Sequence, residues 1–174
     1  MRTKTVGEIM VPLDQYPHIP YWFTLREAIV EIEKSQIDVG GRKSLPRICL
    51  VFDEQYRLVG RVRRRDILFG LEPQFLRKKP VKFRKQLFDV EIDPELTEFS
   101  YEEIINGMRE QAERKIVDIM RTALGSVNYD DHITKAIYEI VENDLCLVPV
   151  LKDGKVVGVV RTIELFQEIA RIII

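Results

Sequence analysis

The densest concentration of reactive side chains in this 174-residue sequence is the run Arg61-Val62-Arg63-Arg64-Arg65-Asp66. Guanidinium groups grip phosphate through paired N–H donors, and two or three converging on one point suit a di- or triphosphate. Strand alternation offers a plainer arrangement, in which Arg61 and Arg63 share a face while Arg64 and Arg65 open a solvated helix. A second arginine–carboxylate pair at the same spacing is Arg161 and Glu164. At that spacing the arginine either turns to a bound phosphate or pairs locally with the carboxylate three residues on, at a helix start.

Other groups invite chemistry less strongly. Tyr16, His18, Tyr21, Trp22 and Phe23 crowd one segment, where aromatic rings stack on a base, meet a partner or fill a core. Residues 77–85 form a basic tract with only Phe83 among the charges, followed by an acidic stretch from Asp89 to Glu103. The tract is expected to be a solvated connector rather than a grip on a phosphate backbone. Cys49 and Cys146 each lie inside an apolar run, as reduced core residues do, and His18 and His132 are not placed to complete a closed zinc site with them. His132 is expected to be an exposed imidazole. No nucleophile–base pair, glycine-rich phosphate loop or HExxH motif is present, so no enzymatic function is expected.

The elements that must position these residues occur twice. The first half runs Ile9-Met10, then Thr24-Leu25-Arg26-Glu27-Ala28-Ile29, the strand Ile48-Cys49-Leu50-Val51-Phe52, then Leu58-Val59-Gly60-Arg61-Val62 and Asp66-Ile67-Leu68. The second half repeats the order with Ile119-Met120, His132-Ile133-Thr134-Lys135-Ala136-Ile137, Leu147-Val148-Pro149-Val150-Leu151, Val156-Val157-Gly158-Val159-Val160 and Glu164-Leu165-Phe166. Such repetition outranks local propensity as evidence of architecture. Each copy predicts strand, helix, strand, strand, helix. Leu25, Ile29 and Ile32, with Ala28 beside them, stripe the first helix. Ile133, Ile137, Ile140 and Val141 stripe the corresponding helix of the second copy, with Asp130 or Asp131 as N-cap. Asp153-Gly154 predicts a two-residue hairpin turn.

One copy alone leaves a face of its small sheet bare. Two packed sheet to sheet cover it, so the expected fold is α/β with a pseudo-twofold pair of units. The copies are assigned to residues 1–71 and 115–174. The first is longer, chiefly through residues 37–44, which read as a loop. Residues 72–114 belong to neither copy, and Ser100-Tyr101-Glu102-Glu103 predicts a capped helix from Tyr101 toward Arg114.

Composition agrees with a soluble globular chain: 45% hydrophobic, 32% charged, formal net charge -1. That charge argues against general nucleic-acid binding. The sequence contains no stretch resembling a signal peptide and no window of bilayer-spanning length, so the cytoplasm is the expected location and no membrane partner is expected.

The doubled pattern resembles the cystathionine-β-synthase (CBS) domain family, present as a tandem pair. The resemblance rests on Ile9-Met10 and Ile119-Met120, on Ala28 and Ala136 within the helices, on Pro149-Val150, and on Gly60 and Gly158 in the final strands. Membership implies a regulatory module that binds AMP, ADP, ATP or S-adenosylmethionine in clefts between the motifs, with no resident cofactor or metal. It also implies that an aspartate of the last motif holds the ribose hydroxyls. Asp66 takes that position in the first copy. Arg63 stands where the family has Ser or Thr, and Arg161 and Glu164 depart from the pattern at both positions of the second copy. The first cleft so implied involves Asp66, Arg63, Arg61, Val62, Leu50, and Ile19 and Pro20, which lie in the family's adenine-contacting stretch. The second involves Glu164, Arg161, Val159, Pro149, and Ser126 and Val127. A homodimer or a protein effector is expected to receive the signal. A CBS pair without a ligand, serving dimerisation or protein interaction, is the other function in view.

Overall fold

The computed structural model describes residues 4–39, 41–77, 100–122 and 125–174. The basic tract beyond Arg77 and most of the acidic stretch lie outside them. In chain order the elements are α1 (Val6–Ile9), β1 (Val11–Pro12), β2 (His18–Pro20), α2 (Leu25–Lys34), β3 (Ile37–Val39), β4 (Arg42–Ser44), β5 (Ile48–Phe52), β6 (Leu58–Arg63), α3 (Arg64–Gly70) and α4 (Gln74–Arg77). They continue with α5 (Tyr101–Gln111), β7 (Val127–Asn128), α6 (Ile133–Glu142), β8 (Leu147–Lys152), β9 (Lys155–Arg161) and α7 (Thr162–Ile173).

Two sheets carry the repeats. One is ordered β2-β5-β6 and the other β1-β9-β8-β7. In each, a parallel pair (β2 with β5, β7 with β8) adjoins an antiparallel hairpin (β5 with β6, β8 with β9). Period-two alternation sends neighbouring side chains to opposite faces. Cys49 and Val51 face a core with Leu25, Ala28 and Ile32 of α2, while Ile48, Leu50 and Phe52 face the other sheet. Likewise Val148, Val150 and Val160 meet Ile133, Ala136 and Ile140 of α6, while Leu147 and Val159 join the layer between the sheets. The expected sheet-to-sheet pair is thus observed.

The leading segment of each repeat is bound to the other repeat. Val11 pairs with Val159 in β9, and Arg121 forms an antiparallel bridge with Arg61 in β6. Further back, Leu25 N donates to Arg114 O (2.9 Å) and Val6 N to Asp131 O (2.8 Å). Ile116 is fully buried in the first core and Val6 in the second. Burying such a side chain is worth about 1.5–3 kcal/mol, so each lead stabilises the opposite core by roughly that amount.

Ile37–Val39 and Arg42–Ser44 pair as a hairpin, β3 with β4, rather than the expected loop. Gly41 adopts φ +82° and its N–H donates to Asp38 Oδ1 (2.8 Å), which closes the turn. Ile37, buried between the sheets, anchors the hairpin. The N-cap of α6 is His132, whose Nδ1 accepts from Thr134 N (3.3 Å), and not Asp130 or Asp131. Asp131 is used elsewhere: its carboxylate accepts from Asn128 N and pairs with Lys135. Val141 leaves the predicted stripe and is 70% exposed, while Ile133, Ala136 and Ile140 are buried. The Asp153-Gly154 turn forms with both residues at positive φ, and the Ser100–Glu103 capping box starts α5.

Candidate cleft at the junction of β6 and α3

β6 runs straight into α3, and the alternation of β6 decides what reaches the junction. Val62 is fully buried in the first core. Arg61 and Arg63, opposite Leu50 and Ile48, rise from the face turned to the second repeat. Arg63 then caps α3, and Asp66 at its third position accepts back from Arg63 N (3.1 Å), as a capping box requires. Arg64 and Arg65 are exposed, as the solvated-helix arrangement predicts.

Asp66 is 8% exposed, yet it is held ionised. Its Oδ2 accepts from Arg63 Nε (2.8 Å), and its Oδ1 from Arg63 Nη2 (2.8 Å) and Arg121 Nε (3.2 Å). Burial pushes the carboxyl toward neutrality, but the hydrogen bonds from Arg63 and Arg121 overcome it and bring the pKa down to about 2. Arg63 is held more firmly protonated by the same carboxylate.

The second repeat reproduces this unit. Arg161 N donates to Glu164 Oε2 (2.9 Å), Arg161 Nε lies 3.0 Å from both carboxylate oxygens, and Nη2 donates to Oε1. Both arginines therefore pair locally at a helix start.

Arg61, Arg63 and Asp66 come together, and so do Arg161 and Glu164. Ile19, Val62 and Val127 do not present their side chains to either group, because alternation buries them in the helix-packed cores. Leu50 and Val159 lie in the apolar layer between the sheets. Pro149 is buried, Pro20 and Ser126 half-buried. Arg121 joins the Asp66 cluster although no motif marked it. Aligning the repeats on Ile-Met would have found it, since it follows Met120 as Val11 follows Met10.

The aromatic segment divides by role. Tyr16 is buried and donates to Ile48 O (2.7 Å), and burial pushes its phenol up. His18 bridges Tyr16 O through Nδ1 and Tyr56 Oη through Nε2 (2.6 Å). Tyr21 and Phe23 pack on the first core, and Trp22 is half-exposed. A cavity of about 610 Å³ lies nearby, between Met10–Pro12, Tyr16, His18, the end of α2 and β3. None of the expected site residues lines it. Cys49 and Cys146 are free thiols, the first buried, the second half-buried. Among the described residues no cluster of His, Cys, Asp or Glu is arranged to hold a metal ion, and no helix is long and apolar enough to cross a membrane.

The family model of the CBS domain matches residues 116–171. Over that stretch the chain is similar to the CBS-domain family. No curated protein matches it by sequence. The whole chain has the fold of CBS-pair structures. CBSX2 from Arabidopsis thaliana superposes with a TM-score of 0.65 at 17% identity, over 98% of this chain and 97% of that one. CBSX2 in complex with AMP gives 0.61 at 19% identity, over 97% of each chain. The cytosolic domain of the Mg2+ channel MgtE in complex with ATP gives 0.60 at 15% identity over 96% of this chain. The chain spans 50% of that domain's length, as it does of the soluble part of a magnesium transporter. At these identities the likeness is one of fold.

Proposed function

We propose that this CBS pair is a regulatory module that binds an adenine nucleotide or related adenosyl ligand in the first cleft, at Asp66. One observation carries the reading: a buried, ionised carboxylate sits at the strand–helix junction facing the other repeat, with arginines from both repeats around it. A carboxylate so placed accepts from vicinal ribose hydroxyls, and the guanidinium groups suit the phosphate. CBS domains are regulatory rather than catalytic units, and fold relatives have been crystallised with AMP and with ATP. The second cleft, with Glu164 for aspartate, is the poorer site.

Binding is transmitted through Arg121, which joins the lead of one repeat to the cleft of the other. The receiver is a protein effector or a second copy in a cytoplasmic homodimer. Phe166, Ile172, Ile173 and Ile174, all at least half exposed on α7 and its tail, offer the apolar contact surface.

A thermal-shift screen against AMP, ADP, ATP, S-adenosylmethionine, NAD and guanine nucleotides tests the reading. A ligand at about a hundred times its Kd adds about 2.7 kcal/mol to the native state, a rise of several degrees. Asp66→Ala should weaken the selected ligand more than tenfold in a calorimetric titration; unchanged affinity removes Asp66 from the site. A specific observation supports the second function, a ligand-free interaction module: both Asp66 and Glu164 are already saturated by arginines. Silence across the whole screen favours that module.

A further inference from the structure

The first cleft holds more positive charge than its carboxylate neutralises. Arg61 and Arg121 are directly opposite in the antiparallel bridge and exchange both backbone hydrogen bonds, Arg61 N to Arg121 O (2.8 Å) and Arg121 N to Arg61 O (2.9 Å). Directly opposed residues share a face, and like charges there destabilise the pairing. Arg63, two residues along β6, adds a third guanidinium to the same face. Asp66 takes bonds from Arg63 and Arg121, while Arg61 Nε is buried with no hydrogen-bond partner. A buried donor left unpaired on a cation is costly, and an anion relieves it.

The other repeat is the control. Its equivalent positions are Val159 opposite Val11, both in the apolar layer, and its single arginine is matched by its single carboxylate. Nothing about the shared fold requires the arginine pair at Arg61 and Arg121.

Resting on the nucleotide reading above, we infer that the first cleft selects a polyphosphate, a nucleoside di- or triphosphate over a monophosphate or free nucleoside, and that the second cleft takes no anion. Arg61 and Arg121 bind the phosphates. Arg63 is a latch: its guanidinium occupies Asp66 when no anion is present and swings to the phosphate when one arrives, which opens acceptor positions on the carboxylate to the sugar while the capping bond from Arg63 N stays in place. Phosphate and ribose recognition are coupled through that exchange.

The test is calorimetric titration of the full chain with adenosine, AMP, ADP, ATP and inorganic tripolyphosphate, using wild type, Arg121→Ala, Arg121→Lys and Arg63→Ser. ATP should bind at least about tenfold tighter than AMP, with tripolyphosphate competing, since each charge-assisted contact is strong. Arg121→Ala should narrow the ATP-to-AMP ratio to about threefold or less, Arg121→Lys should restore part of it, and Arg63→Ser should strengthen adenosine by releasing Asp66. Nucleotides that bind with AMP equal to ATP, or a ratio untouched by Arg121→Ala, overturn the polyphosphate selection and leave the nucleotide reading standing. Tripolyphosphate binding without any nucleoside binding overturns the nucleotide reading and keeps the anion site. No binding of any probe overturns both.

Discussion

Asp66 is ionised in a place where burial opposes its charge. Its ordinary carboxyl pKa of 3.8 falls to about 2 in the folded chain, so the folded state binds its proton less readily than the unfolded one. A depressed carboxyl pKa contributes stability above the unfolded value and loses it as pH falls through the folded value. The window is therefore from about pH 4 down to about pH 2, and the contribution at neutral pH is about 2 kcal/mol. Urea unfolding of wild type and Asp66→Asn, measured at several pH values across that window, checks this. Wild type should lose about 2 kcal/mol more than the variant on acidification; parallel curves would place the arginine bonds of Asp66 in the unfolded state as well, and remove its role as an anchor of the junction. At this scale the sequence was informative but incomplete. Arg63 and Asp66 are three apart, so their pairing is local and legible in the spacing. Arg121 lies 55 positions from Asp66, and only the fold brings it there.

The elements are held in register where the two leads cross onto the opposite sheets, and glycine makes the crossing possible. A Cβ on Gly158 would stand 2.5 Å from Val11 O and 2.8 Å from Met10 Sδ; on Gly60 it would stand 2.8 Å from Arg121 O and 3.0 Å from Met120 Sδ. Both obstacles include backbone, which cannot rotate aside. Gly158→Ala should therefore force β1 away from β9 and cost about 1–3 kcal/mol, as overpacking does. Equilibrium denaturation reads the cost, and a variant as stable as wild type would show that the crossing has slack. The two glycines were visible from the start as members of the repeat, but their reason was not, since β1 is two residues long and its partner lies far along the chain. The hairpin of β3 and β4 is illegible in the sequence for a different cause. Arg42, Lys43 and Ser44 lack the β-branched and aromatic character that marks strands, and the pairing depends on Asp38 closing the turn and on Ile37 reaching the layer between the sheets. Adjacent aspartates outrank histidine as caps, which favours Asp130 or Asp131 at α6, yet Asp131 is drawn off to Asn128 and Lys135 and His132 takes the position.

On the scale of the molecule, exchange of leads makes each repeat a part of the other's core. Ile116 completes the core built on α2 and β5, and Val6 completes the one built on α6 and β8. The layer between the sheets is shared by Val11, Leu50, Leu147 and Val159. The doubled pattern of Ile-Met, helix and hairpin made two packed units legible, because each unit's apolar faces outnumber what it alone could cover. The exchange was hidden, since the lead segments are short and look alike. Its consequence is mechanical as well as thermodynamic: a disturbance in one repeat is felt in the other. Cooperative unfolding tests this directly. Trp22 is the single tryptophan and sits beside the first core, so its fluorescence follows the first repeat, whereas far-UV circular dichroism follows both. Ile140→Ala, which opens a cavity in the second core, should cost about 2–5 kcal/mol. If the repeats unfold as one, that substitution moves the Trp22 midpoint in urea by the same amount as the circular dichroism midpoint, although Ile140 belongs to the other half. A Trp22 transition left in place while the circular dichroism splits into two steps would mean that the exchanged leads do not couple the repeats.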